Sequence, residues 1–174
     1  MNVLDAINSR TSYRGKYKND KVPREDLIKI MEAGLAAPSG CNKQTTSLIA
    51  IDDPKIIAKL DEVMNPKVNL APAMICVLTQ KIIAYKGRCF NIHDYSAAIN
   101  TMLLAIVGLG YQSCWYEGYI TDVDAIGRKM ADILGVPAEY DLVCFLPVGI
   151  AKEQAKFPEK KPFEERAWFN GFKK

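Results

Sequence analysis

The hydrophobic pattern predicts one helix that is apolar almost all round. The chain reads DYSAAINTMLLAIVGLGYQSCWYEGY from residue 94 to residue 119, and within 95–109 only one serine, one asparagine and one threonine are polar. With Asp94 as its acidic N-cap, such a helix must be buried on nearly every side. It is shorter than the roughly 20 apolar residues that cross a bilayer. We therefore predict a central core helix or a helix at a subunit interface.

Periodicity elsewhere predicts four further helices and four strands. The strands at 73–79 and 141–150 are continuously apolar, which indicates that helices cover both faces of their sheet. Residues 80–93 have no recognisable pattern, and we predict only a connecting segment there. The further helices are predicted at 3–9, 23–35, 52–64 and 122–134, and the remaining strands at 45–51 and 112–119.

Composition and charge indicate one ordinary folded domain. The 174 residues are 49% hydrophobic and 25% charged, and the net charge of +3 is too small to imply a polyanionic partner. The first residues show neither a signal peptide nor a membrane anchor, and the five dispersed cysteines suit reduced thiols, so we expect a cytoplasmic protein. With His93 as the one histidine, a metal site is not expected.

Several common catalytic motifs are missing from the sequence. There is no GxxxxGK[ST] loop, and Gly108-Leu-Gly110 lacks the third glycine of a dinucleotide-binding fingerprint and follows a helix rather than a strand. GxSxG and HExxH are also absent. The commonest hydrolase, P-loop and Rossmann interpretations are therefore excluded.

Two polar segments are candidates for ligand binding. The segment from Arg10 to Asp26 is rich in phosphate-type donors, although a solvated charged loop explains it equally well. Pro38 ends a helix, and the amides of Asn42 and Gln44 follow two residues apart, on the same side of a predicted extended strand. Paired amides suit a heteroaromatic ring with carbonyls and ring nitrogens, although they also form plain turns.

Six motifs together resemble the FMN-dependent nitroreductase family and cover nearly the whole chain. They are RTSYR at 10–14, APSGCNKQ at 37–44, the Asp-led apolar helix that ends in LG, CWYEG at 114–118, LPVG at 146–149, and KKP at 160–162 before EE. The resemblance implies an α+β fold of three layers, with a central mixed β-sheet flanked by helices, in an intertwined homodimer with FMN at the interface. It also implies a single domain over 1–174 in which residues 152–174 pack on the partner subunit, and a variable substrate lid at 80–93.

The resemblance assigns cofactor-binding roles to two early groups of residues. Guanidinium and hydroxyl groups would bind the FMN phosphate and ribityl chain through charge-assisted hydrogen bonds. The turn after the second helix would line the flavin from the partner subunit and reach its ring edge or chain. The residues assigned to the phosphate and ribityl chain are Arg10, Thr11, Ser12 and Arg14. Those assigned to the turn are Pro38, Ser39, Gly40, Asn42 and Gln44.

The resemblance also assigns the segment after the central helix and a late basic pair. Glu117 and Gly118 match backbone that faces flavin N5, so the Glu117 side chain is not the catalyst, and no catalytic side chain is expected. Tyr116 is expected to offer stacking surface, whereas Trp115 is expected on the opposite face in the core. Lys160 or Lys161 would complete the phosphate site, where the family usually places a lysine and an arginine.

The implied function is an FMN-dependent oxidoreductase. NADH or NADPH would reduce the flavin, which would then reduce a nitroaromatic, quinone or similar small acceptor by a ping-pong mechanism. A flavin-handling or reductively dehalogenating relative on the same fold is the first alternative. A basic module that binds nucleic acid is the second, and it is disfavoured because the charge is nearly balanced and the basic stretch has few stacking aromatics.

Overall fold

The computed structural model describes residues 1–64, 67–117 and 125–172. The helices are α1 (Val3–Ser9), α2 (Arg24–Leu35), α3 (Pro54–Val63), α4 (Asn91–Gly108) and α5 (Ile126–Ile133). The strands are β1 (Thr46–Ile51), β2 (Ala73–Thr79), β3 (Ile83–Tyr85), β4 (Arg88–Cys89) and β5 (Asp141–Val148). Two short 3-10 helices lie at Gly40–Asn42 and Phe163–Glu165.

Local sequence explains where two of the short helices begin. Asn2 caps α1 by accepting from the Asp5 backbone N–H, while the Asp5 side chain accepts from the Asn2 backbone, which completes a capping box. Asp53 caps α3 through the Lys55 backbone N–H, and Pro54 takes the first helical position. Both helices had been predicted within one or two residues of these limits.

The main sheet has the order β1-β2-β5, and both pairings are antiparallel. We predicted a mixed sheet, and every pair in this sheet that the described ranges contain is antiparallel. Strand β2 is buried at every position because it lies in the centre of the sheet. The continuous apolar runs thus predicted correctly that both faces are covered.

Helices cover the two faces in separate layers. Ile75 and Val77 of β2 face a core formed with α2 and α4, whereas Met74 and Cys76 face a core formed with α3 and α5. The α2–α4 contact is close: a Cβ added at Gly34 would lie 2.6 Å from Cγ of Met102. The prediction of a three-layer α+β fold is confirmed.

The predicted start of the central helix is wrong. Helix α4 begins at Asn91, with Phe90 at its cap position, so Asp94 lies inside the first turn instead of capping it. His93 is exposed there and packs edge-on against Phe90, with ring centroids 5.8 Å apart. Burial is also less complete than predicted, since Asn100, Gly108 and residues near them remain exposed or half-buried.

Residues 80–93 contain the β3–β4 hairpin and the start of α4, which the sequence pattern did not predict. The third predicted strand, 112–119, is also wrong over its described part. Gln112 forms an isolated bridge with Gly149, and Tyr116 forms one with Phe145, without a continuous ladder between them. The first residues of the helix predicted at 122–134 lie outside the described residues, and α5 is described from Ile126.

Beyond β5 the chain returns across its own N-terminal region. Lys152 donates its backbone N–H to Lys16 O, and the rings of Trp168 and Phe172 lie 4.1 Å apart. Phe163 and Phe169 remain exposed, so packing of residues 152–174 on a partner subunit stays a prediction. Within the described ranges, no helix combines the length and the apolar character needed to cross a bilayer.

Candidate functional site

The segment after α1 is extended, and its side chains alternate between core and solvent. Thr11 and Tyr13 are buried, whereas Ser12 and Arg14 are exposed and Arg10 is half-buried. The Tyr13 backbone N–H donates to Ser113 O at 2.8 Å, which fixes this register. Alternation therefore places the side chains of Arg10, Ser12 and Arg14 on the same, outward side.

These outward side chains meet the C-terminal tail at one cavity of about 380 Å³, here called the basic cavity. Its lining includes four cationic side chains and no acidic one, and these four form no ion pair with any other described residue. Like charges that share a cavity repel each other unless an anion offsets them. The lining residues are Arg10, Thr11, Ser12, Arg14, Lys156, Phe157, Pro158 and Lys160.

The residues assigned to the phosphate differ in what they contact at the basic cavity. The Thr11 hydroxyl donates to Lys156 O at 2.8 Å, so it attaches the tail to the N-terminal segment. Lys160 and Lys161 are both exposed, but only Lys160 lines the cavity. The sequence did not identify Lys156, because a lysine in a lysine-rich tail carries no signal of its own.

Cys114 connects the basic cavity to the segment that follows the central helix. Its thiol is buried, which raises the pKa of Cys114, while Arg14, Ser12 and Arg10 act in the opposite direction. The Tyr13 backbone N–H donates to Ser113 O, so residues 113–117 begin beside the segment that carries Arg10, Ser12 and Arg14 and lead to Glu117.

The turn after α2 differs from its prediction. Asn42 and Gln44 do not lie on an extended strand. Gly40–Asn42 is a 3-10 turn, and the φ angles of Cys41, Asn42 and Gln44 are 51°, 53° and 51°. Left-handed backbone at non-glycine residues costs energy and persists only where the surroundings impose it. Here Ser39 Oγ accepts the Gln44 backbone N–H at 3.0 Å.

Asp94 supplies the other restraint on this turn. One carboxylate oxygen accepts the Gly40 backbone N–H at 2.7 Å, and the other accepts the Thr45 hydroxyl at 2.7 Å. Asp94 is 4% exposed, so the interaction fixes the turn to the first turn of α4. An acidic residue within an otherwise apolar helix was the signal available in the sequence, and it was interpreted as a cap.

Pro38, Ser39 and Gln44 line a small cavity of about 170 Å³ together with Asp94. Gly40 and Asn42 are not part of that lining. A Cβ added at Gly40 would lie 2.7 Å from the Phe90 side chain, so the close approach of this backbone requires glycine. The turn and the basic cavity share no lining residue.

Glu117 is held by two hydrogen bonds. The Tyr95 hydroxyl donates to its Oε1 at 2.8 Å, and the Trp115 indole N–H donates to its Oε2 at 2.6 Å. Burial and this carboxylate both raise the pKa of Tyr95, which stays protonated and able to donate. The sequence did not identify Tyr95, since a tyrosine in a buried helix resembles any core residue.

Trp115 and Tyr116 lie on opposite faces, as strand alternation predicted. Trp115 packs against the core formed with α2 and α4, and Tyr116 against the core formed with α3 and α5. The Tyr116 ring stacks on Phe145, with centroids 5.1 Å apart and planes at 12°. Gly118 lies outside the described residues.

Glu117 and Tyr95 also line a cavity of about 550 Å³. Thr79, Lys81, Asn91 and Ile92, which flank the β3–β4 hairpin in sequence, line the same cavity. The remaining lining comes from α5 and the beginning of β5. A space of this size can hold a small organic molecule.

Known proteins are similar to this chain over most of its length. A provisionally named NADH dehydrogenase/NAD(P)H nitroreductase of Archaeoglobus fulgidus is 28% identical over 161 residues, covering 90% of this chain and 89% of that protein. Iodotyrosine deiodinase 1 of Sus scrofa is 23% identical over 192 residues, covering 92% of this chain and 66% of that protein.

Solved structures agree with these relatives. The crystal structure of a nitroreductase with bound FMN from Bacteroides fragilis has a TM-score of 0.78 at 25% identity, covering 97% of this chain and 98% of that one. The family model described as "Nitroreductase family" matches residues 7–74 and 63–150 of this chain. This protein therefore belongs to the nitroreductase family.

Proposed function

We propose that this protein binds FMN with the phosphate in the basic cavity, accepts hydride from NADH or NADPH, and reduces a small-molecule acceptor. A nitroaromatic compound, a quinone or a similar molecule would be that acceptor. An FMN-dependent oxidoreductase is the activity that family membership supports. The observation that carries the proposal is the basic cavity, with four cations and no acid beside residues 113–117.

The side chains of the basic cavity fit a phosphate dianion. Arg10 and Arg14 can each donate two parallel N–H hydrogen bonds to phosphate oxygens, and the Ser12 hydroxyl can donate an O–H hydrogen bond. Lys160 adds a point charge, and we assign it before Lys161 because Lys160 lines the cavity. Thr11 contributes indirectly, because its hydroxyl is engaged in holding the tail at Lys156.

The turn that carries Pro38 to Gln44 requires a second subunit in this proposal. It shares no lining residue with the basic cavity, so we assign its contact with the flavin to the partner in a homodimer. Exposed apolar side chains support association: Val3 is 72% exposed and Leu4 69%. We expect the dimer to act in the cytoplasm as one domain per subunit.

FMN supplies the hydride chemistry when it is bound. The chain's own residues hold the phosphate, orient the ring through the backbone at Glu117 and Gly118, and exclude water from the cleft. No acid–base pair is needed for this chemistry. The Glu117 carboxylate already accepts hydrogen bonds from Tyr95 and Trp115. Reductant and acceptor would occupy the same cleft in turn, so we expect ping-pong kinetics.

Reductive dehalogenation is the second candidate function. The similarity to iodotyrosine deiodinase 1 extends over 92% of this chain, which makes a halogenated phenol a reasonable alternative acceptor. Nucleic-acid binding remains disfavoured, because the net charge is only +3.

The test is to purify the protein, add FMN, and measure its affinity by flavin absorbance and fluorescence. NADH and NADPH are then compared as reductants, with nitrobenzoate, a benzoquinone and an iodophenol as acceptors. We expect tight FMN binding and parallel double-reciprocal plots with one acceptor class. Protein that retains no FMN would overturn the proposal, and turnover of the iodophenol alone would favour the second candidate.

A further inference from the structure

The Glu117 carboxylate is satisfied entirely by neutral donors. The Tyr95 hydroxyl and the Trp115 indole N–H each donate a hydrogen bond to one carboxylate oxygen. Among the described residues, no cation forms an ion pair with Glu117. A half-buried carboxylate with two such donors is held in one position. The proposed function gives this side chain no reaction to perform.

The two donors are themselves immobilised. Tyr95 is 5% exposed and belongs to α4, the helix at the centre of the first core. Trp115 packs against the same core from the segment that follows α4. Glu117 is therefore held against the first core by two side chains that pack within it or against it.

The backbone next to Glu117 has less support than the side chain. Tyr116 exchanges two backbone hydrogen bonds with Phe145, at 3.2 Å and 3.1 Å. Glu117 makes no backbone hydrogen bond with any described residue, so its side chain provides the polar anchoring at this position. The bond to the Tyr116 carbonyl restrains the Tyr116–Glu117 peptide from one side, and the Glu117 carboxylate adds the polar restraint that follows it.

We propose that Tyr95 and Trp115 are positioning residues, which orient the peptide of Glu117 toward the flavin by clamping its carboxylate. This inference rests on the proposed function, and it adds a task for a side chain that was expected to be idle. Orientation matters here because a displacement of about 1 Å at the reacting centre can lower a rate roughly a hundredfold.

The chain contains a matched control for this clamp. Tyr111 donates its hydroxyl to Asp26 Oδ2 at 2.8 Å, the same length as the Tyr95–Glu117 bond, and it is also buried. Asp26 lies on α2 and pairs with Lys29, outside every cavity assigned to the cofactor. Loss of either hydroxyl removes one buried tyrosine–carboxylate bond, but only one of them concerns the flavin.

The experiment compares Tyr95→Phe with Tyr111→Phe in the FMN-loaded protein, and Trp115→Phe tests the second donor. The readouts are the visible circular dichroism of bound oxidised FMN, FMN affinity, and the limiting rate of flavin reduction by NADH in stopped flow. We expect Tyr95→Phe to change the dichroism and to lower the limiting rate about tenfold. The NADH concentration at half-maximal rate should change by less than about twofold.

A double-mutant cycle shows whether Tyr95 acts through Glu117. In a Glu117→Ala background, Tyr95→Phe should have no further effect on rate or dichroism, because the group it holds is gone. Additive effects, or flavin readouts for Tyr95→Phe that equal those of Tyr111→Phe, would overturn the inference while leaving the proposed function intact. Wild-type protein that does not bind FMN would overturn both.

Discussion

The two ends of the segment 113–117 have opposite electrostatics. At one end the basic cavity gathers four cations and no acid. At the other end Glu117 is an acid that receives only neutral donors. The acid is satisfied by the protein itself, whereas the cations have no protein partner among the described residues. This difference supports the proposal that an anionic ligand completes the first end, whereas the protein itself completes the second.

The largest expected effect is loss of the anion site. Arg10→Ala should weaken FMN binding by about 1.5–3 kcal/mol, because one charged hydrogen-bond partner of the phosphate is removed. That corresponds to a rise in Kd of roughly tenfold to more than a hundredfold, measured by fluorescence titration. Arg24→Ala is the control, since Arg24 is paired with Asp52 away from the cavity. Equal affinities for the two variants would contradict the assignment of the basic cavity.

Asp94 tests the scaffold end of the comparison, because it too is an acid held by neutral donors. Asp94→Ala should lower the free energy of unfolding by about 1–3 kcal/mol, since the Gly40 N–H and the Thr45 hydroxyl lose their acceptor. Asp132→Ala, which removes an exposed pair with Arg128, should cost less than about 1 kcal/mol. Urea denaturation compares them, and similar losses would mean that Asp94 is not a buried anchor.

Salt should distinguish the two ends by a smaller effect. Raising the salt from about 0.05 M to about 0.5 M screens exposed charges, so wild-type FMN affinity should fall. The effect of Tyr95→Phe on flavin dichroism should stay constant over the same range, because its hydrogen bond is buried. An FMN affinity that is insensitive to salt would argue against phosphate binding by exposed cations.

The smallest effect concerns Asp26, the acid of the control pair. Hydrogen bonds from Lys29 and Tyr111 hold the pKa of Asp26 below the ordinary value of 3.8. A lowered folded-state pKa stabilises the protein above the unfolded-state pKa, and this contribution is lost as the pH falls through the folded-state pKa. Asp26→Asn should therefore reduce stability slightly at neutral pH and flatten its decline below about pH 4. Urea midpoints at both pH values measure this, and an unchanged acid profile would contradict it.

Regular segments were predicted well because their signals are local. The apolar run Ala73–Thr79 and the helix Arg24–Leu35 have their observed limits at or within one residue of the prediction. The region around residues 80–93 was not predicted, because a hairpin of three-residue and two-residue strands has no period to detect. The prediction of an extended strand at Asn42 and Gln44 was wrong, because Asp94 restrains the left-handed turn at Gly40–Asn42 and is distant in sequence.

The sequence by itself determined the buried helix and the coverage of both sheet faces, since periodicity depends only on neighbours along the chain. The set Arg10, Ser12 and Arg14 came from the resemblance to the family. Only the tertiary structure decided that Lys160 joins that set and that Tyr95 holds Glu117. These contacts join residues 22 to 150 positions apart. Their formation depends on packing of the whole chain, which no local pattern encodes.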